Sequence, residues 1–320
     1  MRQAGRYLPE YMQIKNIIEA KGGGFFEMCD DAKIATEITL QPIKRFNIDA
    51  AIVFSDILIV PRALSWKVEM LPKTGPKLEQ FTNLDDVEKL NINEELLGRT
   101  PQAIKMIKSQ SPLDLIGFAG APFTVAMYML TGGKIDGNKD AKKMLYKEDL
   151  LDVLLPIIVE TTKVYLSMQI EAGADIIKIF ESHCGLLNGN DEFIDKYHIK
   201  PVQNIVNFLK NRYPQTPIIL FPRGAGEHYE EIAAKINVDC IAIDETVGKI
   251  GVEKLKKTGK VLQGNLDNYL VCYGTKKQIE YGVDKVLNLM GDYPFIFNLG
   301  HGILQHTNPD NINIILDKIK

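Results

Sequence analysis

The chain has 320 residues, of which 45% are hydrophobic and 25% are charged, a composition typical of a soluble globular protein. Its 38 lysines and arginines against 41 acidic residues give a formal net charge of -3, which argues against a general nucleic-acid binder because no basic excess drives counterion release. Four cysteines without a C-x-x-C pair indicate neither a disulfide framework nor a zinc site, and no uncharged run is long enough to cross a membrane.

The N-terminal segment carries two arginines, Arg2 and Arg6, on either side of Gln3-Ala4-Gly5. Leu8-Pro9-Glu10 then predicts a helix start, because proline is tolerated in the first turn and an acid suits the positive end of the helix dipole. Only 7 of the 38 basic residues are arginines. The presence of two of them within the first six residues therefore indicates a segment that binds anions.

Seven short apolar runs follow, each ending in a polar or glycine-rich cluster and each followed by helical periodicity. They cover residues 48–54, 113–118, 174–180, 217–221, 238–243, 261–263 and 294–297. This alternation predicts parallel β/α units. A closed (β/α)8 TIM barrel has eight strands, so we expect such a barrel as a single domain over residues 1–320, with its first strand missing at the N-terminus of this chain. A doubly wound open sheet fits the strand count, but no G-x-G-x-x-G or P-loop pattern supports it.

In a barrel of this type the residues directly after each strand converge on one rim, and that rim holds the active site. Here they combine cations, acids and hydroxyl groups without a cluster of metal ligands, so we expect no bound metal. The rim residues are Arg2, Arg6, Asp56, the segment 120–122, Ser182, His183, Arg223, Asp244, Asn265, Asp267 and His301.

Six motifs in these places resemble those of the uroporphyrinogen decarboxylase family, and together they run across essentially the whole chain. The resemblance implies a cofactor-free (β/α)8 barrel, usually a homodimer, in the pathway to haem. The reaction that it implies removes carbon dioxide from the four acetate arms of uroporphyrinogen III and gives coproporphyrinogen III. The motifs are MRQAGRYLPEY (1–11), FSDIL (54–58), GFAGAPFT (117–124), FESH (180–183), QGNLD (263–267) and NLGHG (298–302).

The implied substrate carries eight carboxylates, which explains the early arginines, because a guanidinium pairs bidentately with carboxylate and stays charged. An aspartate after a strand is commonly a helix cap, but within FSDIL the resemblance makes Asp56 the central carboxylate that meets the pyrrole N–H groups. The resemblance also implies that the N-terminal segment contacts substrate carboxylates and that three further side chains line the pocket. By resemblance, the substrate-binding residues are Arg2, Gln3, Ala4, Gly5, Arg6, Asp56, Tyr128, Ser182 and His301.

This chain departs from the family at a third cationic position. The family usually carries another arginine one helical turn beyond the first motif. Counting forward from MRQAGRY places Lys15 there, whereas counting back from FFEMC (25–29) places Glu19 there. Whether Lys15 contacts substrate therefore stays open.

The implied chemistry needs a proton donor and a group that stabilises a positive ring. A pyrrole protonated at a ring carbon can accept the electrons as carbon dioxide leaves, and a carboxylate facing the ring N–H groups stabilises that cation. We expect Asp56 and Arg2 to be catalytic. Arg2 suits placement of the substrate carboxylate, but a guanidinium with a pKa above about 12 is a poor acid. Bound water, Tyr128 and His301 are alternative donors.

Two other functions remain possible from the sequence. A corrinoid-dependent methyltransferase of the same barrel superfamily would need zinc on a His-x-Cys pattern, whereas His183 and Cys184 are adjacent here. The other alternative is an inactive barrel that only binds porphyrin. We expect a cytoplasmic protein, or a plastid one if a leader lies upstream of Met1. We assign no role to Arg223, Asp244, His198, His228 or His306. For His183 a structural role and a role in the active site both stay open.

Overall fold

The computed structural model describes residues 8–71, 74–133, 135 and 140–320. Three helices precede the first strand of the main sheet: α1 (Pro9–Ala20), α2 (Phe25–Asp30) and α3 (Ala32–Arg45). Pro9 occupies the first turn of α1, so the predicted helix start is confirmed. The Asp31 side chain caps α3 by accepting the backbone N–H groups of Lys33 and Ile34 at 2.8 and 3.0 Å.

Seven parallel strands form the main sheet, and all seven predicted runs supply one strand each. Their order, β1-β4-β5-β6-β7-β8-β9, follows the chain, as the β/α alternation predicts. In the described part of the chain β1 and β9 stand at the two ends of the sheet and are not paired with each other. The strands are β1 (Ala50–Ile52), β2 (Val68–Leu71), β3 (Gly75–Leu78), β4 (Asp114–Gly120), β5 (Ile176–Glu181), β6 (Ile218–Pro222), β7 (Cys240–Ala242), β8 (Val261–Leu266) and β9 (Phe295–Leu299).

The antiparallel pair of β2 and β3 was not predicted. Both strands are largely exposed or half-buried, and they carry Glu69, Pro76 and Lys77, so no apolar run marks them. A strand that buries little surface leaves little hydrophobic pattern in the sequence.

Helices cover the outer face of the sheet, and a single cluster of buried apolar side chains extends through both layers. None of the described helices combines the length and the apolar composition that crossing a bilayer requires. Short 3-10 turns cover Leu84–Lys89, Cys184–Leu187 and Gly226–His228, and a π-helical turn covers Ile194–Ile199. The remaining helices are α4 (Ile59–Ala63), α5 (Glu94–Lys108), α6 (Pro122–Thr131), α7 (Ala141–Met144), α8 (Glu148–Glu171), α9 (Asp191–Phe193), α10 (Lys200–Arg212), α11 (Tyr229–Lys235), α12 (Lys249–Lys256), α13 (Asn268–Tyr273), α14 (Lys276–Met290) and α15 (Asp310–Ile319).

Aromatic rings occupy the concave face of the sheet. Phe180 on β5 contacts Phe118 on β4 and Phe221 on β6, with ring centroids 5.5 and 6.4 Å apart. All three rings are more than nine-tenths buried. These aromatics form a packed floor beneath the carboxyl ends of the strands, where polar residues take over.

Gly120, the last residue of β4, is a close-contact point between this floor and the loop after β1. A Cβ atom there would lie 3.0 Å from Ile57 Cβ and 2.9 Å from a methyl group of Val125. Both distances are shorter than ordinary van der Waals contact. The loop that carries Asp56 can therefore approach β4 only because residue 120 lacks a side chain.

We predict that Gly120→Ala lowers the free energy of unfolding by about 1–3 kcal/mol, because the loop after β1 must move away. Gly98→Ala is the matched control, since a Cβ at Gly98 in α5 meets only one methyl group of Met168, at 3.7 Å. That change should raise the stability by about 0.5–1 kcal/mol, because alanine is the better helix former. Urea titrations of the two variants measure both effects, and equal midpoints would show that the contact at Gly120 is not tight.

Candidate active site

The carboxyl ends of the parallel strands meet along one rim above the aromatic floor. Backbone hydrogen bonds continue past the strand ends there: the Arg223 N–H donates to the Glu181 carbonyl at 2.9 Å, and the Ala121 N–H donates to the Phe180 carbonyl at 2.9 Å. The residues that follow the strands are therefore held in register, as the strands are. A small cavity of about 20 Å³ opens in this region, enough for about one water molecule. It is lined by Lys178, Phe180, Phe221, Ala242, Gln263, Asn298, Leu299 and His301.

Asp56 lies between β1 and α4 and is half-buried. Its Oδ1 accepts the backbone N–H of Leu58 at 3.0 Å, so this carboxylate both caps its own turn and has a fixed orientation. The neighbouring Ser55 hydroxyl contacts Thr100 Oγ1 at 3.0 Å and Tyr165 Oη at 3.3 Å in the protein interior. Burial raises the pKa of Tyr165 to about 12, and the nearby charge of Asp56 acts in the same direction. The end of β1 is thus anchored by a buried hydroxyl cluster.

A chain of polar contacts crosses β5 and reaches Tyr128. The His183 ring faces Tyr128 edge-on at 5.4 Å between centroids, with Nε2 3.4 Å from the Tyr128 hydroxyl. The backbone N–H of His183 donates to Thr124 Oγ1 at 3.2 Å, and the Thr124 hydroxyl donates to the Glu181 carboxylate. The other Glu181 oxygen lies 3.3 Å from His198 Nδ1, and both of these side chains are fully buried. Ser182 sits between two anchored residues, because Glu181 and His183 belong to this chain of contacts.

Sequence reasoning did not assign Thr124, Glu181 or His198. The first two lie inside the motifs GFAGAPFT and FESH, so the signal was present but was not used. Nothing near His198 in the sequence points to Glu181, 17 residues away, and the contact depends on how α9 and the π-helical turn pack on β5. His198, to which no role was assigned, is a buried histidine of the core.

His301 follows β9 and lines the cavity. Its Nδ1 accepts the backbone N–H of Gly302 at 2.7 Å, and the Asn268 amide donates to the Gly302 carbonyl at 2.7 Å. Because Nδ1 is an acceptor here, the neutral ring carries its proton on Nε2. His301 can therefore present an N–H donor at Nε2, which suits a carboxylate ligand or a proton transfer.

Lys178 places a buried positive charge beneath the rim. Only 7% of the residue is exposed, its Nζ donates to Gln263 Oε1, and it lies 5.2 and 5.5 Å from the ring centroids of Phe180 and Phe221. A lysine within the apolar run 174–180 was visible in the sequence, but its inward placement follows only from the strand register. It adds a buried cation next to the cavity.

Three rim residues are occupied by structural hydrogen bonds. The Asp244 carboxylate accepts the Gly224 N–H at 2.7 Å and the Tyr229 hydroxyl at 2.8 Å, and it also accepts the N–H and hydroxyl of Thr246. Burial opposes the ionised form of Asp244, but these donors outweigh burial and hold its pKa below the usual value. The Asn265 amide donates to the Asp244 and Val247 carbonyls, and Asp267 caps α13.

The predicted contacts of Arg2, Gln3, Ala4, Gly5 and Arg6 lie outside the described residues. Lys15 and Glu19, the two residues that counting places at the third cation position, form an ion pair one helical turn apart, with Lys15 Nζ 3.3 Å from Glu19 Oε1. The four cysteines are free thiols, and the described part of the chain contains no group of three or more His, Cys, Asp or Glu residues that could hold a metal ion.

Comparison with known proteins gives a family and a fold. A family model described as "Uroporphyrinogen decarboxylase (URO-D)" matches residues 1–320. Uroporphyrinogen decarboxylases from Rickettsia bellii (strain RML369-C) and Jannaschia sp. (strain CCS1) are 43% and 38% identical to the chain, each match covering 100% of this chain and 93% of the relative.

Two solved structures share the fold at low identity. A methyltransferase from Methanosarcina mazei has a TM-score of 0.76 at 19% identity, covering 95% of this chain and 89% of the other. A B12-independent methionine synthase from Shewanella sp. W3-18-1 has a TM-score of 0.58 at 13% identity, covering 90% and 87%. At such identities these likenesses show the fold alone.

We predict that Thr124→Val lowers the free energy of unfolding by about 1–3 kcal/mol, because it removes a donor to the buried Glu181 carboxylate and the acceptor of the His183 N–H. Thr131→Val, on the same helix, is the matched control, because the Thr131 hydroxyl only donates to the Met127 carbonyl one turn earlier. Denaturant titration of both variants compares the two losses. If Thr131→Val costs as much as Thr124→Val, the network carries no special stability.

Proposed function

Because the chain belongs to the uroporphyrinogen decarboxylase family and is a carboxy-lyase of haem biosynthesis, we propose that it removes the acetate carboxyls of uroporphyrinogen III at the rim described above, with Asp56 as the central carboxylate. The observation that carries this proposal is the environment of Asp56. It is a half-buried carboxylate of fixed orientation, at the end of a strand anchored by buried hydroxyls. A group prepared in this way can stabilise charge without reorganising during the reaction.

The reaction is difficult because direct loss of carbon dioxide would leave a carbanion beside an electron-rich pyrrole. Protonation of the α carbon, which lies between the nitrogen and the carbon that bears the acetate, converts the pyrrole into a cation whose charge is shared by the acetate-bearing carbon. The bond between the methylene and carboxylate carbons then breaks, and its electron pair neutralises the ring as carbon dioxide leaves. A proton added to the exocyclic carbon completes the methyl group, and loss of the first proton from the α carbon restores the neutral pyrrole.

In this scheme Asp56 accepts hydrogen bonds from the pyrrole N–H groups and offsets the positive charge of the protonated ring. Its Oδ1 is already directed by the Leu58 N–H, so the carboxylate need not be ordered when substrate binds. The charge that it stabilises is absent from the bound substrate and present in the transition state. The contribution of Asp56 should therefore appear in kcat more than in KM.

The side arms need groups that bind carboxylates around this centre. We propose that Arg2, Gln3, Ala4, Gly5 and Arg6 supply such contacts, with their motif as the support. Tyr128, Ser182 and His301 complete the proposed set, and the Nε2–H of His301 makes this residue a candidate for proton transfer besides Arg2, Tyr128 and water.

We also propose, on the family resemblance, a cytoplasmic homodimer with one barrel domain in each subunit. The helix α13 offers one feature in support of association. Tyr269 and Tyr273 are 61% and 69% exposed, and their ring centroids lie 6.3 Å apart. Tyrosines are enriched at protein interfaces.

We predict that Asp56→Asn lowers kcat by about 10²–10³-fold and leaves KM and thermal midpoint close to those of the parent. The asparagine Oδ1 can still accept the Leu58 N–H, so the turn is preserved while the charge is lost. Asp31→Asn is the control, because it removes one charge from a capping aspartate of α3 and keeps the capping oxygen. The assay follows uroporphyrinogen and its intermediates by chromatography under reducing conditions.

Asp56→Glu extends this test by keeping the charge and moving it by one methylene. It should bind substrate poorly and turn over slowly, because the longer side chain enters the space of the macrocycle. Equal kcat for Asp56→Asn and the parent would remove Asp56 from the mechanism. A parent protein that binds porphyrinogen but releases no carbon dioxide would instead support the inactive porphyrin-binding barrel.

We predict that His301→Gln retains more substrate affinity than His301→Asn. The amide of glutamine reaches the position of Nε2 and can supply an N–H donor there, whereas asparagine can replace only the Nδ1 acceptor of the Gly302 N–H. KM for uroporphyrinogen should therefore rise less in the glutamine variant. The reverse order of KM values would show that His301 acts mainly by holding its own loop.

A further inference from the structure

Arg223 differs from the other arginines that the structure describes. The structure describes five arginines, and the four besides Arg223 form ion pairs: Arg45 with Glu10 and Asp310, Arg62 with Asp30, Arg99 with Asp30 and Glu95, and Arg212 with Glu171. Across the described residues, no carboxylate oxygen lies within 4.0 Å of the Arg223 guanidinium. Arg223 is half-buried, so this charge has lost part of its hydration without gaining a counterion.

The position of Arg223 places it at the proposed site. Arg223 directly follows β6. Its backbone N–H donates a hydrogen bond to the Glu181 carbonyl, which places Arg223 beside Ser182. Side chains alternate along a strand, so Arg223 falls on the same face as Phe221, whose ring lines the cavity. The order β1-β4-β5-β6 separates Arg223 from Asp56 by three strand spacings, roughly 14 Å along the curled sheet.

The nearest acid in the ladder does not neutralise Arg223. Asp244 follows the neighbouring strand β7, but its two carboxylate oxygens already accept four hydrogen bonds, from Gly224, Tyr229 and Thr246. One of these donors is the backbone N–H directly after Arg223, so Asp244 fixes the turn that carries the arginine. The Glu181 carboxylate is likewise engaged, by Thr124 and His198.

We propose that Arg223 binds a carboxylate side arm of the tetrapyrrole on the wall of the site away from Asp56. This inference rests on the proposed function, because the ligand is the same porphyrinogen. If Asp56 holds the pyrrole N–H groups at the centre, the side-arm carboxylates lie at the periphery of the macrocycle, where Arg223 stands. A guanidinium suits this task because its planar fork pairs with both oxygens of a carboxylate.

The test compares Arg223→Gln, Arg223→Lys and Arg212→Gln with the parent protein. Arg212→Gln removes the same charge from the exposed end of α10, where Arg212 pairs with Glu171, and should leave KM unchanged. Arg223→Gln should raise KM for uroporphyrinogen about tenfold or more, with kcat changed less than KM. Arg223→Lys should lie between, because it keeps the charge and loses the fork. Thermal midpoints of the two Arg223 variants should match that of the parent, since Arg223 has no ion partner among the described residues to lose.

The product identifies the side arm. Coproporphyrinogen keeps four carboxylates and lacks those that the reaction removes, and it can be tested as a competitive inhibitor. A rise in its inhibition constant in Arg223→Gln assigns the arginine to a retained carboxylate, and an unchanged constant with raised KM assigns it to an acetate. Unchanged KM and unchanged product inhibition in Arg223→Gln would overturn the proposal while parent turnover still supports the proposed function. A parent without decarboxylase activity would overturn both.

Discussion

The parallel register of the seven strands is the constraint on which the rest of this protein depends. Each ladder aligns neighbouring strands residue by residue, and the pairing continues past the strand ends at Ala121 and Arg223. Polar residues from distant parts of the sequence are therefore brought to one rim above a floor of Phe118, Phe180 and Phe221. A shift of one residue in any ladder would turn that strand's rim residue toward the helices.

The rim residues divide into those that hold the rim and those that we propose bind the ligand. Asp244, Asn265 and Asp267 form hydrogen bonds with neighbouring loops and turns. The buried Glu181 carboxylate contacts Thr124 and His198. These groups keep the strand ends rigid. His301 by contrast lines the cavity, and Arg223 directly follows β6; we propose that both bind carboxylates of the substrate, as a protein whose net charge is slightly negative requires.

The sequence predicted strongly buried strands, but it did not predict contacts between residues that are far apart along the chain. All seven main strands were predictable because each is an apolar run, whereas β2 and β3 are too exposed to leave one. The family could be identified from six motifs, and that identification is confirmed over the whole chain. The contact of Glu181 with His198 and the burial of Lys178 could not be predicted, because both depend on packing and register. The roles of Asp56, Tyr128, Ser182 and His301 stay predictions.

The central claim is that Asp56 faces the pyrrole N–H groups of the bound macrocycle, and a crystal structure with coproporphyrinogen bound under reducing conditions tests it most directly. The account predicts Asp56 carboxylate oxygens within hydrogen-bond distance, about 2.7–3.2 Å, of the pyrrole nitrogens, with the Leu58 N–H bond to Oδ1 retained. A product whose nitrogens face another residue, or whose side-arm carboxylates lie against Asp56, would contradict it.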